Sequence, residues 1–96
     1  MNALVLRETE YDIYTRDALA QELESLAPGM AIDFRNVRYL DSSGIGALVV
    51  RARQLRDSDG ITSIPLINVA SAVGRIITIA GLDALFEITL RPEQAV

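Results

Sequence analysis

The 96-residue sequence contains no cysteine, no histidine and no tryptophan, and all nine of its basic residues are arginine. Without cysteine, the chain can form no disulfide and has no thiolate nucleophile. Without histidine, it has no imidazole for zinc binding or acid–base catalysis. The absence of histidine also excludes a serine–histidine–aspartate triad, and the absence of lysine excludes a serine–lysine pair. These absences argue against an enzyme and against a metal site.

Charge and hydropathy exclude further classes of partner. The net charge of −4 is the wrong sign for nucleic acid or for an anionic membrane surface. No apolar run reaches the roughly 18 residues of a membrane span, and the chain does not begin with the basic and apolar regions of a signal peptide. We therefore expect a cytoplasmic protein without cofactors that binds neither nucleic acid nor membranes.

Hydrophobic residues make up half of the chain, although only five residues are aromatic. A core of leucine, isoleucine, valine and alanine is therefore expected, in a single small domain. Short apolar strands alternate with segments of helical periodicity, which predicts an α/β fold with a mixed sheet of about four strands packed with about three helices. The expected strands are residues 3–8, 30–34, 66–69 and 85–90.

Three helices are expected between these strands. Thr15 and Ser71 are the predicted N-caps of the first and third, and residues 57–60 are expected to form a turn after the second. Gly81 is expected to end the third helix. In the first helix, leucines at positions 19, 23 and 26 form a stripe of helical spacing that indicates a buried face.

The most informative stretch is residues 41–46, Asp-Ser-Ser-Gly-Ile-Gly, which opens the second helix. Asp41 or Ser42 is the natural N-cap, because a short side-chain oxygen can accept a free backbone N–H of the first turn. Gly44 and Gly46 keep that turn free of bulk, so a partner or a phosphate can approach the backbone. The same residues could be interpreted as a nucleotide phosphate loop, but the Lys-Ser/Thr ending of a P-loop is missing, so that interpretation is weak.

Residues 41–46 resemble the signature of STAS domains, the family of the bacterial anti-sigma-factor antagonists. Tyr11-Asp12, Asp33-Phe34, residues 66–69 and residues 80–82 follow in the family's order. The resemblance covers roughly residues 4 to 90. It implies one STAS domain over residues 1–96 without the additional first strand and the C-terminal helix of many relatives, since residues 92–95 would only open such a helix.

The resemblance implies a non-enzymatic switch in sigma-factor regulation of transcription. The unphosphorylated protein would bind an anti-sigma factor that is a serine protein kinase, and would thereby release a sigma factor. The kinase would use ATP and magnesium to phosphorylate the serine after the aspartate, here Ser42, with Ser43 as the alternative, and a phosphatase would reverse the reaction. The phosphate adds a charge of about −1.5 to −2, which a helix N-terminus tolerates and a docked partner does not.

The expected partner-binding residues surround this serine. They are Asp12, Asp41, Ser42, Ser43, Gly44, Gly46 and Val50. Simpler roles stay open from the residues alone: Asp41 and Ser42 as caps, Asp12 as a solvated loop residue and Val50 as an isolated surface valine. The carboxylates at positions 33, 41, 57 and 59 are expected to be solvated and not to form a magnesium site.

Two other functions and one assembly state remain open from the sequence. The main alternative is a structural STAS subunit that binds a transporter ATPase or another regulatory complex, although such members often lack a serine after the aspartate. A small nucleotide-binding protein is the third hypothesis. The sequence also leaves open whether the protein forms a homodimer.

Overall fold

The structure, a computed structural model, describes residues 2–92. Its strands and helices alternate along the chain, which confirms the α/β class. A helix opening at residues 92–95 lies outside the described residues apart from Pro92. The elements are β1 (Ala3–Val5), β2 (Glu10–Tyr11), α1 (Arg16–Leu23), β3 (Ala31–Asp33), β4 (Tyr39–Leu40), α2 (Ser42–Asp59), β5 (Ile64–Val69), α3 (Ser71–Ile79) and β6 (Phe86–Leu90), with a short 3-10 helix at Leu82–Ala84.

Four strands form the main sheet, in the order β1-β3-β5-β6. All three neighbouring pairs are parallel, so the expectation of a mixed sheet is wrong for the described residues. The physical reason is that each connection between neighbouring strands passes through a helix, which returns the chain to the edge where the previous strand began. Leu4, Ile32, Leu66 and Ile88 are in register across the sheet.

A second, two-stranded sheet joins β2 to β4, with Glu10 opposite Tyr39 and Tyr11 opposite Leu40. The sequence does not predict β2, because a two-residue strand has no periodicity to reveal it. The Asp41 N–H continues the pairing by donating to the Tyr11 carbonyl at 3.1 Å. This small sheet brings the chain before α1 beside the chain before α2.

One apolar core lies between the main sheet and the helices. The leucines at positions 19, 23 and 26 are all buried, as the spacing predicts. The Tyr11 ring is also fully buried, and its hydroxyl donates to Glu22 Oε2 at 2.7 Å while it accepts from the Glu8 N–H at 3.0 Å. Burial, with the hydrogen bond to Glu22, raises the pKa of Tyr11 well above its ordinary value. Tyr11 therefore ties β2 to α1 as a neutral phenol.

Arg51, on α2, fixes the position of α1. Its guanidinium donates from Nε to the Leu23 carbonyl at 2.9 Å and from Nη2 to the Leu26 carbonyl at 2.8 Å. Leu23 is the last residue of α1 and Leu26 lies just beyond it, so the guanidinium sits at the C-terminal end of the helix, where a positive charge is favourable. The relative placement of α1 and α2 is thus held by polar contacts as well as by the core.

Several expected boundaries are corrected. Residues 57–59 continue α2, which ends only where Gly60 adopts a left-handed φ of +69°. Thr15 stands at the N-cap of α1 without a side-chain cap bond, since its hydroxyl instead donates to the Glu10 carbonyl at 3.0 Å. The N-cap of α3 is Ala70, so Ser71 is its first helical residue and not its cap.

Candidate functional site

Asp41 caps the start of α2. Its backbone is extended and its carboxylate accepts from the Ser43 N–H at 2.8 Å and the Gly44 N–H at 3.3 Å. The Asp41 carbonyl accepts the first intrahelical bond, from the Ile45 N–H at 2.9 Å. Asp41, and not Ser42, therefore satisfies the free donors of the first turn.

Ser42 is the first residue of α2 and is exposed. Within residues 2–92 its hydroxyl makes no hydrogen bond to the backbone or to another side chain. The hydroxyl is therefore open to solvent and has no part in capping. Ser43 is half-buried, so it is the less accessible of the two serines.

Gly44 and Gly46 have opposite surroundings. A Cβ at Gly44 would lie 2.4 Å from Leu40 Cδ1 and 3.0 Å from the Tyr11 carbonyl oxygen, so this position is glycine because α2 packs closely on β2 and β4. Gly44 is buried and presents no surface to a partner, contrary to expectation. Gly46 is exposed, and a Cβ there would have no neighbour within 4 Å.

A groove of about 490 Å³ runs between α1 and α2. It brings together four of the expected site residues, Ser42, Ser43, Gly46 and Val50, and the Val50 side chain is 57% exposed. The remaining lining residues are Arg16, Asp17, Ala20 and Ala47. An exposed serine thus lies beside an open surface of small and apolar residues.

Sequence reasoning missed the α1 side of this groove. Arg16 and Ala20 are four residues apart, so they share a face of α1, and both are exposed beside the buried leucine stripe. That spacing is a signal that could have identified them once α1 and α2 were known to pack together. Arg16 Nε lies 3.9 Å from Asp17 Oδ1, and both side chains are well exposed.

Asp12 does not line the groove. It organises the turn before α1, where its Oδ1 accepts from the Tyr14 N–H at 2.8 Å and the Thr15 N–H at 3.2 Å. The same turn leaves the Ile13 side chain 60% and the Tyr14 side chain 91% exposed. Asp12 thus has a structural task, to which any contact with a partner would be added.

Within residues 2–92, the arrangement of the acidic side chains and the character of the helices bear on a metal site and on a membrane span. No three acidic side chains in this part of the chain lie together in a way that could hold a metal ion, and Asp57 and Asp59 sit at the far end of α2 from Asp41. No helix in the same part of the chain is long and apolar enough to cross a membrane.

The fold and the site define a small α/β domain whose accessible serine opens the long helix after a two-stranded sheet. A family model described as "Mlab, STAS domain" matches residues 3–91, so the chain belongs to the STAS domain family, as the signature predicts. The chain is 29% identical over 90 residues to the anti-sigma-B factor antagonist of Bacillus subtilis (strain 168), covering 91% of this chain and 81% of that protein. It is 28% identical over 83 residues to the anti-sigma-B factor antagonist of Staphylococcus aureus (strain NCTC 8325 / PS 47), covering 82% of this chain and 75% of that protein.

Proposed function

We propose that the protein is an anti-sigma-factor antagonist that acts by binding and not by catalysis. Both relatives described above carry this name, and the similarity extends over most of their length. The partner is then an anti-sigma factor, and its capture releases a sigma factor. The protein would work in the cytoplasm, where sigma factors meet RNA polymerase.

The observation that carries the proposal is the Ser42 hydroxyl, which is exposed at the rim of the groove while Asp41 alone caps the helix. Phosphorylation of a serine that also capped the helix would force its cap hydrogen bonds to rearrange. Because the two roles are separated here, Ser42 can accept a phosphate while the start of α2 keeps its hydrogen bonds. We assign Ser42 as the phosphorylation site and Ser43 as the less accessible alternative.

The surface beside Ser42 fits a protein partner. Gly46 offers space for close approach, and Val50 adds an exposed apolar side chain four residues further along the same helix face. In the unphosphorylated state this surface carries no charge on α2, since Ser42, Gly46, Ala47 and Val50 are all neutral. We propose that the anti-sigma factor docks over these residues.

Phosphorylation would switch this surface off. The phosphate adds a charge of about −1.5 to −2 at the rim, where a docked partner would have to exclude water from it. The loss of binding therefore needs no change in the fold. We propose that the anti-sigma factor is itself the serine kinase, with ATP and magnesium, and that a phosphatase restores binding.

The experiment has two parts. The protein is incubated with a kinase-type anti-sigma factor, ATP and magnesium, and mass spectrometry locates the phosphate. We expect one phosphate on Ser42, none on Ser42→Ala, and unchanged modification of Ser43→Ala. Calorimetry then measures affinity, and we expect Ser42→Asp to raise Kd about 100-fold, a loss of about 2.7 kcal/mol, whereas Ser42→Ala binds as the parent does.

Ser71→Asp is the matched control, because Ser71 is the exposed first residue of α3 as Ser42 is of α2. It adds the same charge away from the groove, and we expect Kd to change less than about twofold. Equal weakening by both variants would reject a local switch. Recovery of a transporter ATPase in place of an anti-sigma factor, with no effect of Ser42→Asp on that complex, would favour the structural-subunit alternative.

A further inference from the structure

Of the four backbone N–H groups that a helix start leaves without intrahelical acceptors, three already have acceptors at the start of α2, which leaves only that of Ser42 for a phosphate on Ser42. The Asp41 carboxylate already accepts from the Ser43 and Gly44 N–H groups, at 2.8 and 3.3 Å. The carboxylate is also a negative charge in the residue next to the phosphate. Most backbone N–H donors at the N-terminus of α2 are therefore already occupied and can do little to stabilise a phosphate on Ser42. Such a phosphate needs a cation from elsewhere.

The opposite wall of the groove supplies one. Of the described residues that line the groove, Arg16 alone is cationic, and it comes from α1 whereas Ser42 comes from α2. Its present partner is Asp17, with 3.9 Å between Arg16 Nε and Asp17 Oδ1. The Arg16 and Asp17 side chains are 56% and 99% exposed, so water screens this contact and the guanidinium can turn away from it at little cost.

We propose that Arg16 binds the phosphate of Ser42 and so links α1 to α2 across the groove in the phosphorylated protein. A guanidinium presents its N–H groups in a planar fork that matches phosphate oxygens, and such pairs are among the stronger surface ion pairs. The pair would occupy the groove beside Gly46 and Val50. Phosphorylation would then weaken the binding of a partner in two ways, by the charge of the phosphate and by filling the space into which the partner docks. This inference rests on the proposed function, which supplies the phosphate.

The test uses full-length protein with phosphoserine installed at position 42 by genetic encoding, so that no kinase is needed. A ³¹P NMR titration gives the pH at which the phosphate takes up its second proton. A nearby guanidinium favours the dianion and lowers that pH. We expect Arg16→Gln to raise the titration midpoint by about 0.5 pH unit, from the strength of exposed ion pairs, and Arg16→Lys to restore part of the difference.

Two further variants distinguish a specific pair from a general effect of charge. Arg53→Gln removes the same charge from an exposed position of α2 outside the groove lining, and we expect it to leave the midpoint unchanged. Asp17→Asn removes the competing carboxylate, and we expect it to lower the midpoint. The difference between Arg16→Gln and the parent should shrink in 1 M salt, where the screening length is about 3 Å.

Equal midpoints for Arg16→Gln, Arg53→Gln and the parent would overturn the inference. Circular dichroism of each variant confirms folding, which substitution of a side chain more than half exposed should preserve. The two proposals fail separately. A kinase that leaves Ser42 unmodified would contradict the proposed function, whereas the installed phosphate still reports directly on Arg16.

Discussion

Two helices of this protein begin with a serine, and they begin differently. Ser42 is the first residue of α2 and Ser71 is the first residue of α3; both are exposed. Both also line a groove, of about 490 Å³ at Ser42 and about 470 Å³ at Ser71. Serine at a helix start beside a groove is therefore not by itself what sets the candidate site apart.

The residue before each serine makes the difference. Asp41 supplies a carboxylate to the first turn of α2, whereas Ala70, before α3, has no side-chain acceptor to offer. The first turn of α2 is thus satisfied without Ser42. The comparison indicates that a helix start can carry a modifiable hydroxyl when a neighbouring residue does the capping.

The grooves differ in the origin of their cation as well. Arg75, in the groove of Ser71, lies on the same helix as that serine, four residues away. Arg16, in the groove of Ser42, lies on a different helix. A phosphate on Ser42 can therefore join two helices, whereas for Ser71 the cation among the described lining residues, Arg75, lies on the same helix as the serine.

The largest effect on stability is expected at Gly44, the third residue of α2. The third residue of α3 is Val73 instead. Gly44→Ala places a methyl group 2.4 Å from Leu40 Cδ1 and 3.0 Å from a backbone oxygen of Tyr11. The leucine can move but the backbone cannot do so easily, so we expect a loss of about 2 kcal/mol in the free energy of unfolding. Urea denaturation measures it.

Gly46→Ala is the control two residues further along the same helix. A Cβ there meets nothing within 4 Å, and alanine is the better helix former by up to about 1 kcal/mol. We therefore expect Gly46→Ala to stabilise the fold. Equal destabilisation by the two alanines would mean that close packing on β2 and β4 does not explain Gly44.

The sequence predicts the parts of this fold that depend on local periodicity. The leucine stripe of α1 identifies a buried face, because a 3.6-residue period requires only near neighbours. The resemblance at residues 41–46 likewise identifies the family. The parallel pairing of the four main strands was also within reach of the sequence, because strands that alternate with helices generally pair in parallel.

The missed features are those that need two distant segments. The pairing of β2 with β4 joins residues 10 and 11 to residues 39 and 40, and neither pair is long enough to show alternation. The groove needs Arg16 from α1 opposite Ser42 from α2. Asp33, expected to be solvated, is instead buried at the end of β3, where partners from another strand and from the following turn donate to its carboxylate.

A smaller effect is expected where the strands that lead to the two helices are joined. Asp33, 1% exposed at the end of β3, accepts from the Arg35 N–H at 2.9 Å and from Asn68 Nδ2 of β5 at 3.1 Å. Burial by itself would raise the pKa of Asp33, but the hydrogen bonds from Arg35 and Asn68 outweigh it and hold the pKa below its ordinary value of 3.8.

A carboxyl group with a lowered pKa in the folded state stabilises the fold above its unfolded pKa. This stabilisation is lost as pH falls from about 4 through the folded pKa. We expect Asp33→Asn to cost about 1.5 kcal/mol at pH 7, as hydrogen bonds to a charged group do. The cost should shrink as the pH falls below about 4, as measured by denaturation from pH 7 to pH 2.5. A cost independent of pH would show that ionisation of Asp33 does not matter.

The smallest effect tests the difference between the two helix starts directly. Asp41→Ala removes the acceptor for the Ser43 and Gly44 N–H groups and should cost about 1 kcal/mol, whereas Ser42→Ala should change stability by less than about 0.5 kcal/mol. Ala70→Asp provides α3 with the acceptor that it lacks and should add up to about 1 kcal/mol. If Ser42→Ala proves as costly as Asp41→Ala, the hydroxyl takes part in capping, and a phosphate could not be added to Ser42 without weakening the start of α2.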